Sequence, residues 1–438
     1  MKIQQSKSIS AFGGINFVFD FLERSQINAL IEKSFPTLAN QSEYRWKDII
    51  NSMLSIYLCG GDCIEDLQIH LRGHFKDNPF VKMPSPDTVL RRLKELAVKN
   101  KQCKTKRGVI THTYNSNEFI NQLNISLLKQ QGVFDAQELT LDYDNTIIFN
   151  EKSDSKMTYK RNPGYQPGIC YLNEEYVLFV ENRNGNSDAK AFQSDTLTRL
   201  FEQLNQNGIK KVTHFRADAA SYQYDVVKLL EQNVENFYIG CRNSYIAKYF
   251  TQIEEWEHIT DSTNEPMQVG SIMIEPFINQ AREDGIDAKP YRLVVKRKLR
   301  DDMQMDLFTD DAYEYRAILT NNIEMTPVEV AILYNHRGNP EKQFDILKND
   351  WGWNNMCFST LENNTVFLGL TAFFKNIYVF IIQHFSQLTD TLKPTYRVKK
   401  FLFRFIILPA TWIKRSRQIT LKIFTDSNKY ITLSLNST

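Results

Sequence analysis

The spacing of hydrophobic residues changes after about residue 130. Before that point apolar residues recur at helical spacing, which is typical of amphipathic helices. Helices are predicted at 17–35, 46–58 and 62–71, and a fourth begins at Ser85-Pro86, where a capping hydroxyl precedes a proline. From Glu138 the period becomes two, so Leu139, Leu141 and Tyr143 share one face of a strand, and Thr140, Asp142, Asp144 and Thr146 share the other.

The elements that follow have a definite order. Strands are predicted at 169–172 and 176–181, then a helix at 195–206, a strand at 212–216, a helix at 222–232 and a strand at 236–240. This is the order of a ribonuclease-H-like fold, in which ligands lie beyond the strand ends. Helical signals fade between about 243 and 321, where strands are predicted at 268–276, 290–295 and 313–319. We therefore predict an α/β protein with a ribonuclease-H-like mixed sheet and a β-rich insertion.

Two helices are predicted around residue 340. Thr326-Pro327 is a helix start, Gly338 ends that helix, and Asn339-Pro340 starts the next. Glu341 therefore lies in an opening turn, at the edge of an apolar stripe formed by Phe344, Leu347 and Trp351. A glutamate at this position either caps the first-turn N–H groups or has a chemical role.

The longest apolar stretch, 365–385, is long enough to cross a membrane. Lys375-Asn376 interrupts its centre, and a helix that is apolar all round is equally suited to a large protein core. We predict a core helix and no membrane contact. The N-terminus shows no secretory signal, which favours a cytoplasmic protein.

Composition changes this picture little. A chain of 438 residues, 42% apolar and 24% charged, predicts two to four globular units, and a net charge of +2 says little about partners. The six cysteines are scattered, which predicts reduced thiols. Cys59 and Cys63 lie four apart, but no second pair follows at zinc spacing, so we do not predict a zinc site.

Positive charge is concentrated in two stretches. Residues 82–107 contain nine Lys/Arg and two acids, and residues 393–422 contain nine Lys/Arg and no acid, interleaved with aromatic residues. Both patterns suit nucleic-acid binding, although a solvated basic face or a charge-protected sheet edge has similar composition. The DNA-binding candidates are Arg91, Arg92, Lys94, Arg397, Lys399, Lys400, Lys414, Arg415 and Arg417.

Context selects three of the 51 acidic residues: Asp144 in the first strand, Asp218 at a later strand end, and Glu341 at a helix start. Phosphodiester cleavage needs both the attacking and the leaving oxygen stabilised, which two Mg²⁺ ions achieve. Mg²⁺ prefers oxygen ligands, and Mn²⁺ is a possible substitute. Asp142 lies on the same face as Asp144 and is a second candidate for the first position.

The spacing Tyr334-x2-Arg337-x3-Glu341-x6-Lys348 resembles the signature around the third carboxylate of bacterial DDE transposases, in the insertion-sequence-four superfamily. The surrounding residues, Arg337-Gly-Asn-Pro-Glu341 and Leu347-Lys-Asn-Asp-Trp-Gly352, look like the insertion-sequence family numbered thirteen-eighty within it. That family carries a β-rich insertion before this helix.

The resemblance implies a function and a role for each residue. It implies a homodimer that binds the terminal inverted repeats of its element on double-stranded DNA and moves the element by cut and paste. Asp144, followed by Thr146, matches the family's first carboxylate, and Asp142 would be an additional or alternative metal ligand. Arg337 and Lys348 would hold DNA phosphates and Tyr334 would position a strand. Trp256, in the insertion, would either stack on a flipped base or serve only in packing.

Two alternatives remain open. The segment around Asp142 and Asp144 also fits the opening motif of haloacid-dehalogenase-type phosphatases, in which the first Asp attacks phosphorus. Those enzymes also need a pair of acids later in the chain, and Asp218 has no second acid beside it. The other alternative is a non-catalytic DNA-binding derivative of a transposase.

The predicted units follow from these assignments. They are a helical N-terminal DNA-binding region at 1–131, the two parts of the catalytic core at 132–242 and 322–386, the β-rich insertion at 243–321, and a basic C-terminal segment at 387–438.

Overall fold

The computed structural model describes residues 3, 9–104, 110–210, 212–260, 265–300, 305, 311–427, 429–430 and 433. Its α-helices are α1 (Ile15–Arg24), α2 (Ile27–Ser34), α3 (Trp46–Leu58), α4 (Arg72–Phe75), α5 (Pro86–Glu95), α6 (Glu118–Gln130), α7 (Gln193–Gln206), α8 (Tyr224–Asn233), α9 (Asn243–Ile246), α10 (Ile278–Glu283), α11 (Pro327–Asn335), α12 (Asn339–Asp350), α13 (Leu361–Leu388) and α14 (Val398–Phe401).

The strands are β1 (Lys101–Lys104), β2 (Thr111–Asn115), β3 (Thr140–Asn145), β4 (Ile148–Phe149), β5 (Lys156–Met157), β6 (Pro163–Tyr165), β7 (Gly168–Leu172), β8 (Tyr176–Arg183), β9 (Val212–Ala217), β10 (Val234–Cys241), β11 (Glu257–Thr260), β12 (Pro266–Ile274), β13 (Tyr291–Leu299), β14 (Tyr313–Thr320), β15 (Ala410–Arg415) and β16 (Gln418–Ile423).

A mixed sheet of eleven strands organises the molecule, in the order β1-β2-β8-β7-β3-β9-β10-β14-β13-β12-β11. Only two neighbouring pairs, β3 with β9 and β9 with β10, run parallel in the described part of the chain; the other pairs are antiparallel. The carboxyl ends of these three parallel strands therefore meet at one edge of the sheet. The chain is thus a mixed α/β protein with a large sheet and many helices, as predicted.

The predicted core elements form with small shifts in their bounds. β3, β7, β8, α7, β9, α8 and β10 appear in the predicted order. The strands predicted at 268–276, 290–295 and 313–319 become β12, β13 and β14. β14 pairs with β10, so the stretch predicted as an insertion extends the central sheet. Residues 261–264, 301–304 and 306–310 of this stretch lie outside the described part.

The N-terminal region contains helices α1 to α6 but is not entirely helical, because strands β1 and β2 lie between α5 and α6. β2 pairs with β8 and joins the central sheet, because its β-branched and aromatic residues alternate, with His112 and Tyr114 buried. The helix predicted at 17–35 is interrupted at Gln26, whose φ is 61°. In the stretch predicted as a helix at 62–71, helical structure begins only with the π-helix Leu67–Leu71. The basic stretch 82–107 also extends beyond the described residues, at 105–107.

The helices predicted at Trp46 and Ser85 are confirmed. α3 spans the predicted residues, and the Ser85 hydroxyl accepts a hydrogen bond from the Thr88 N–H at the start of α5. The six cysteines are free thiols, also as predicted.

Helix α13 is long and apolar enough to cross a membrane, but its apolar segment is completely buried inside the protein. Its polar residues have structural partners. The Asn376 side chain accepts from Val177 N (2.8 Å) and donates to Val177 O (2.7 Å), and the Lys375 ammonium donates to the carbonyl of Glu175. The prediction of a core helix is confirmed.

Candidate active site

The register of the parallel strands places Asp144 and Asp218 side by side. Tyr143 on β3 pairs with Ala217 on β9, so the next residue of each chain segment is an aspartate. Neighbouring strands lie about 4.8 Å apart. Asp218 also begins a short helical turn, because its Oδ1 accepts from Ala220 N at 3.0 Å. Both carboxylates therefore lie at the edge where the parallel strands end.

The turn between α11 and α12 lies against the same edge. A capping box between Thr326 and Glu329 starts α11. At its end the Tyr334 hydroxyl donates to the Ala217 carbonyl at 3.1 Å. A Cβ at Gly240 would overlap this hydroxyl, so β10 needs glycine there. Tyr334 therefore holds α11 on the ends of β9 and β10.

This placement of α11 also determines the positions of Arg337 and Glu341. Arg337 Nη2 donates to Asp144 Oδ2 at 2.8 Å, and both side chains are largely buried. Glu341 lies in the first turn of α12, as predicted, and its side chain is exposed. The structure thus brings Asp144, Asp218, Arg337 and Glu341 into one region.

The pKa of Asp144 shows that these charges interact. Burial is the main cause that raises the pKa of its carboxyl to about 7; the carboxylates of Asp218 and Glu341 also raise it, whereas Arg337 lowers it. A carboxyl whose pKa is raised by burial and by neighbouring like charges is typical of a functional site.

Asp142 has a different partner from Asp144. Its two oxygens accept from Arg216 Nε and Nη2, both at 2.7 Å, and the two side chains are completely buried. Arg216 also donates to Glu174 (2.8 Å) and to the Leu333 carbonyl (2.8 Å). Asp142 is therefore committed to an internal ion pair between β3 and β9, and it is not available as a metal ligand in this arrangement.

The side chain of Lys348, on α12, contacts the protein backbone. Its Nζ donates to the Ile147 carbonyl at 2.8 Å. Burial and the charge of Lys160 lower the pKa of Lys348. Lys348 therefore ties α12 to the segment that follows Asp144.

The predicted basic residues of the N-terminal region lie on α5. Arg91 and Arg92 form ion pairs with Glu95 at 3.2 and 2.7 Å. Lys94 has its ammonium 5.9 Å from the ring centre of Phe358. Arg91 and Lys94 are exposed, whereas Arg92 is half-buried. Their charge is partly neutralised within the helix.

The predicted basic residues of the C-terminal segment divide into two groups. Arg397 forms ion pairs with Asp345 (2.6 Å) and Asp350 (2.7 Å) of α12. The remaining five are exposed on α14 and on the β15–β16 hairpin: Lys399, Lys400, Lys414, Arg415 and Arg417. Arg397 is also exposed, but two acids of α12, the helix of Glu341, hold its guanidinium.

Trp256 is held by neighbouring side chains. The Arg297 guanidinium lies 3.8 Å from its ring centre, and the indole N–H donates to the Ile253 carbonyl at 3.1 Å. One face of the indole is thus already occupied.

Sequence reasoning missed Arg216 and Glu174. The available signal was an arginine inside an apolar strand, because a buried charge requires a partner. Arg216 lies in register with Asp142 on the neighbouring strand, which supplies that partner. Glu174 lies in the turn between β7 and β8, and no pattern in the sequence indicates that this turn lies near β9.

Asp144, Asp218 and Glu341 together offer oxygen donors, which suit Mg²⁺ or Mn²⁺. Among the described residues, one group has three ligand atoms within 4.8 Å of one another, and it is a different one, formed by Asp62, Cys63 and Asp66. Asp66 Oδ2 already accepts hydrogen bonds from the backbone N–H groups of Asp62 and Cys63. The carboxylate oxygens of Asp144, Asp218 and Glu341 do not all lie within 4.8 Å of one another.

Comparison with known proteins identifies the family. The model of the transposase DDE domain, group 1, matches residues 4–431. No curated protein sequence matches the chain. Among solved structures, a piggyBac transposase synaptic complex with hairpin DNA aligns over 90% of this chain and 79% of that chain, at 9% identity and a TM-score of 0.41.

Two structures of the Mos1 transposase also align. The paired-end complex with the left transposon end covers 46% of this chain and 61% of that chain, at 14% identity and a TM-score of 0.18. The paired-end complex with Mg covers 51% and 76%, at 14% identity and a TM-score of 0.16. The family match spans nearly the whole chain, including the three acids at the sheet edge, and the chain therefore belongs to the group 1 family of DDE transposase domains.

Proposed function

We propose that this chain is the DNA transposase of a bacterial insertion sequence in the insertion-sequence-four superfamily, nearest to the family numbered thirteen-eighty. It binds the terminal inverted repeats of its element and carries out metal-dependent DNA cleavage and strand transfer by cut and paste. The observation that carries this proposal is the register of β3 and β9, which sets Asp144 beside Asp218 at the edge where Arg337 fastens the turn before Glu341.

The strand order supports a ribonuclease-H-like core. Strands β8, β7, β3, β9 and β10 are adjacent, with β3, β9 and β10 parallel. This is the arrangement expected from three sequential strands followed by two helix–strand units. We propose the catalytic core at 132–242 and 322–386, with flanking units at the predicted boundaries.

Asp144, Asp218 and Glu341 would hold two Mg²⁺ ions, or Mn²⁺ in their place. When bound, such ions stabilise the attacking and the leaving oxygens of the phosphodiester. Arg337 offsets the negative charge of Asp144, and Tyr334 positions α11 on the strand ends. Both residues prepare the site rather than react.

DNA contacts are proposed for the exposed basic residues. Arg91 and Lys94 on α5 contribute in the N-terminal region, and the five exposed residues of α14 and the β15–β16 hairpin contribute in the C-terminal segment. The active form is a homodimer that holds two element ends in the cytoplasm.

The burial of Asp142 argues against the phosphatase alternative. A nucleophilic aspartate must reach the phosphorus atom of its substrate. Asp142 is completely buried, and Arg216 occupies both of its oxygens. The retention of all three acids at one sheet edge argues against a non-catalytic derivative.

Cleavage of a duplex that carries the element's end, with Mg²⁺, tests the proposal. We expect Asp144→Asn, Asp218→Asn and Glu341→Gln each to lower the cleavage rate by at least about 100-fold, because each variant removes several kcal/mol of charge stabilisation. DNA binding, measured in parallel, should persist.

Glu324→Gln is the matched control, since Glu324 is an exposed acid just before α11, and it should cleave like the wild type. Normal cleavage by Glu341→Gln would refute the assignment. If the protein instead hydrolysed a small phosphomonoester, and only the loss of Asp142 abolished that activity, the phosphatase would replace the transposase as the proposed function.

A further inference from the structure

A small second sheet lies immediately after Asp144. Its strands have the order β4-β6-β5 and are antiparallel. β4 begins at Ile148, four residues beyond Asp144, so its start lies within about 14 Å of that carboxylate along the chain. The small sheet therefore starts close to Asp144.

The small sheet is firmly attached to the core. Asp154 accepts from the Tyr165 hydroxyl (2.5 Å) with one oxygen and from Leu361 N, at the start of α13, with the other (2.7 Å). Lys152 donates to the Met356 carbonyl at 2.7 Å. Hydrogen bonds of this kind fix the orientation of the sheet relative to the active site.

A tight turn forms the tip of this sheet. The Thr158 N–H and hydroxyl both donate to the Asn162 carbonyl, at 2.9 and 2.8 Å. Arg161 has a φ of 61°, in the left-handed region that a residue with a side chain rarely adopts. Tyr159, Lys160 and Arg161 are exposed, and Tyr159 leaves 66% of its surface open to solvent. We call residues 159–161 the tip.

The small sheet that carries the tip starts beside α12. Burial is the main cause that lowers the pKa of Lys348 on α12, and the charge of Lys160 lowers it further. Lys348 in turn donates to the Ile147 carbonyl, directly before β4. This hydrogen bond joins α12 to the base of the small sheet that carries the tip.

We propose that the tip binds the DNA strand next to the scissile phosphate, with Lys160 and Arg161 on backbone phosphates and Tyr159 stacked on a base. The inference rests on the proposed function and adds a subsite to it. An exposed aromatic ring next to two cations is the combination that binds single-stranded or distorted DNA.

Salt dependence of DNA binding tests the phosphate contacts. Each phosphate neutralised by a basic side chain contributes about 0.9 to the slope of log K against log salt, so we expect the double variant Lys160→Ala/Arg161→Ala to reduce that slope by about 2. The control is Lys129→Ala/Lys210→Ala. Lys210 lies just before the start of β9, at the end opposite Asp218, and Lys129 donates to the neighbouring Asn207 carbonyl. The control slope should equal that of the wild type.

Base stacking needs its own variants. Tyr159→Ala should weaken binding of the element's end about tenfold, whereas Tyr159→Phe should bind like the wild type. A photo-crosslinking amino acid at position 159 should label nucleotides within a few positions of the cleaved phosphate.

The outcomes separate the two proposals. If the wild type cleaves the element's end but the double variant keeps its salt slope, the tip assignment is overturned and the proposed function stands. A crosslink to a second protein chain instead of DNA would also overturn the assignment, because it would make the tip a subunit contact. Absence of cleavage by the wild type itself would contradict the proposed function.

Discussion

Asp144 is the residue at which pH should control this site. Burial, Asp218 and Glu341 raise the pKa of its carboxyl to about 7 from an ordinary value of 3.8. A divalent cation binds the carboxylate form and displaces the proton. We expect the affinity of the metal-free protein for Mn²⁺ to fall about tenfold per pH unit below pH 7 and to level off above pH 8.

Mn²⁺ binding measured by electron paramagnetic resonance between pH 5.5 and 8.5 checks this. Arg337 lowers the pKa of Asp144, so Arg337→Ala should move the midpoint to higher pH. An affinity independent of pH across this range would contradict the prediction. The same pKa shift affects folding: the folded state keeps a proton that the unfolded state loses near pH 4, so this residue's contribution to stability declines from about pH 4 to pH 7.

At the scale of elements, Asn376 joins α13 to the central sheet. Its side chain satisfies the N–H and the carbonyl of Val177 and also donates to Asn124 at 2.8 Å. Asn376→Leu leaves these buried groups unpaired, at a cost of about 1–3 kcal/mol for each. We expect the free energy of unfolding to fall by about 2–4 kcal/mol, measured by denaturant titration.

The matched control is Asn363→Ala, in the first turn of the same helix. Asn363 is half-buried and donates only to the nearby Thr360 hydroxyl, so its removal should cost less than about 1 kcal/mol. Equal destabilisation by both variants would show that the buried hydrogen bonds of Asn376 contribute no more to stability than the single hydrogen bond of Asn363.

Arg397 joins the C-terminal segment to α12 through Asp345 and Asp350. We expect Arg397→Ala to destabilise the protein slightly, by about 0.5–1 kcal/mol, because the pair is partly exposed. The salt slope of DNA binding should not change. Lys414→Ala and Arg415→Ala should each reduce that slope by about 1, since both side chains face solvent.

Thermal unfolding and DNA titrations at several salt concentrations measure both effects. A reduced salt slope for Arg397→Ala would restore the prediction from sequence that this residue contacts DNA. Unchanged slopes for Lys414→Ala and Arg415→Ala would remove the hairpin from the DNA-binding surface.

At the scale of the whole molecule, one sheet connects regions that the chain pattern separates. β2, from the region predicted as helical, and β14, from the predicted insertion, join opposite sides of the strands that carry Asp144 and Asp218. The site is therefore supported from both sides by distant parts of the chain.

Local signals were sufficient for most elements. Periodicity located β3, β9 and α13, and capping residues located the starts of α5 and α11, because these features depend on neighbours a few positions away. The sequence also indicates the three acids and Arg337 as site candidates, through their position at strand ends and helix starts and through a family spacing.

Only the tertiary structure decided what those side chains contact. Asp142 and Asp144 lie two residues apart on one face, yet Asp142 pairs with Arg216 and Asp144 with Arg337. Arg397, selected as a DNA contact by its basic surroundings, pairs with α12 instead. The partners come from strands and helices remote in sequence, and pairing depends on register and burial, which no local pattern contains. The sequence by itself therefore determined which elements form and which acids are candidates, and the packing of those elements decided the partner of each charge.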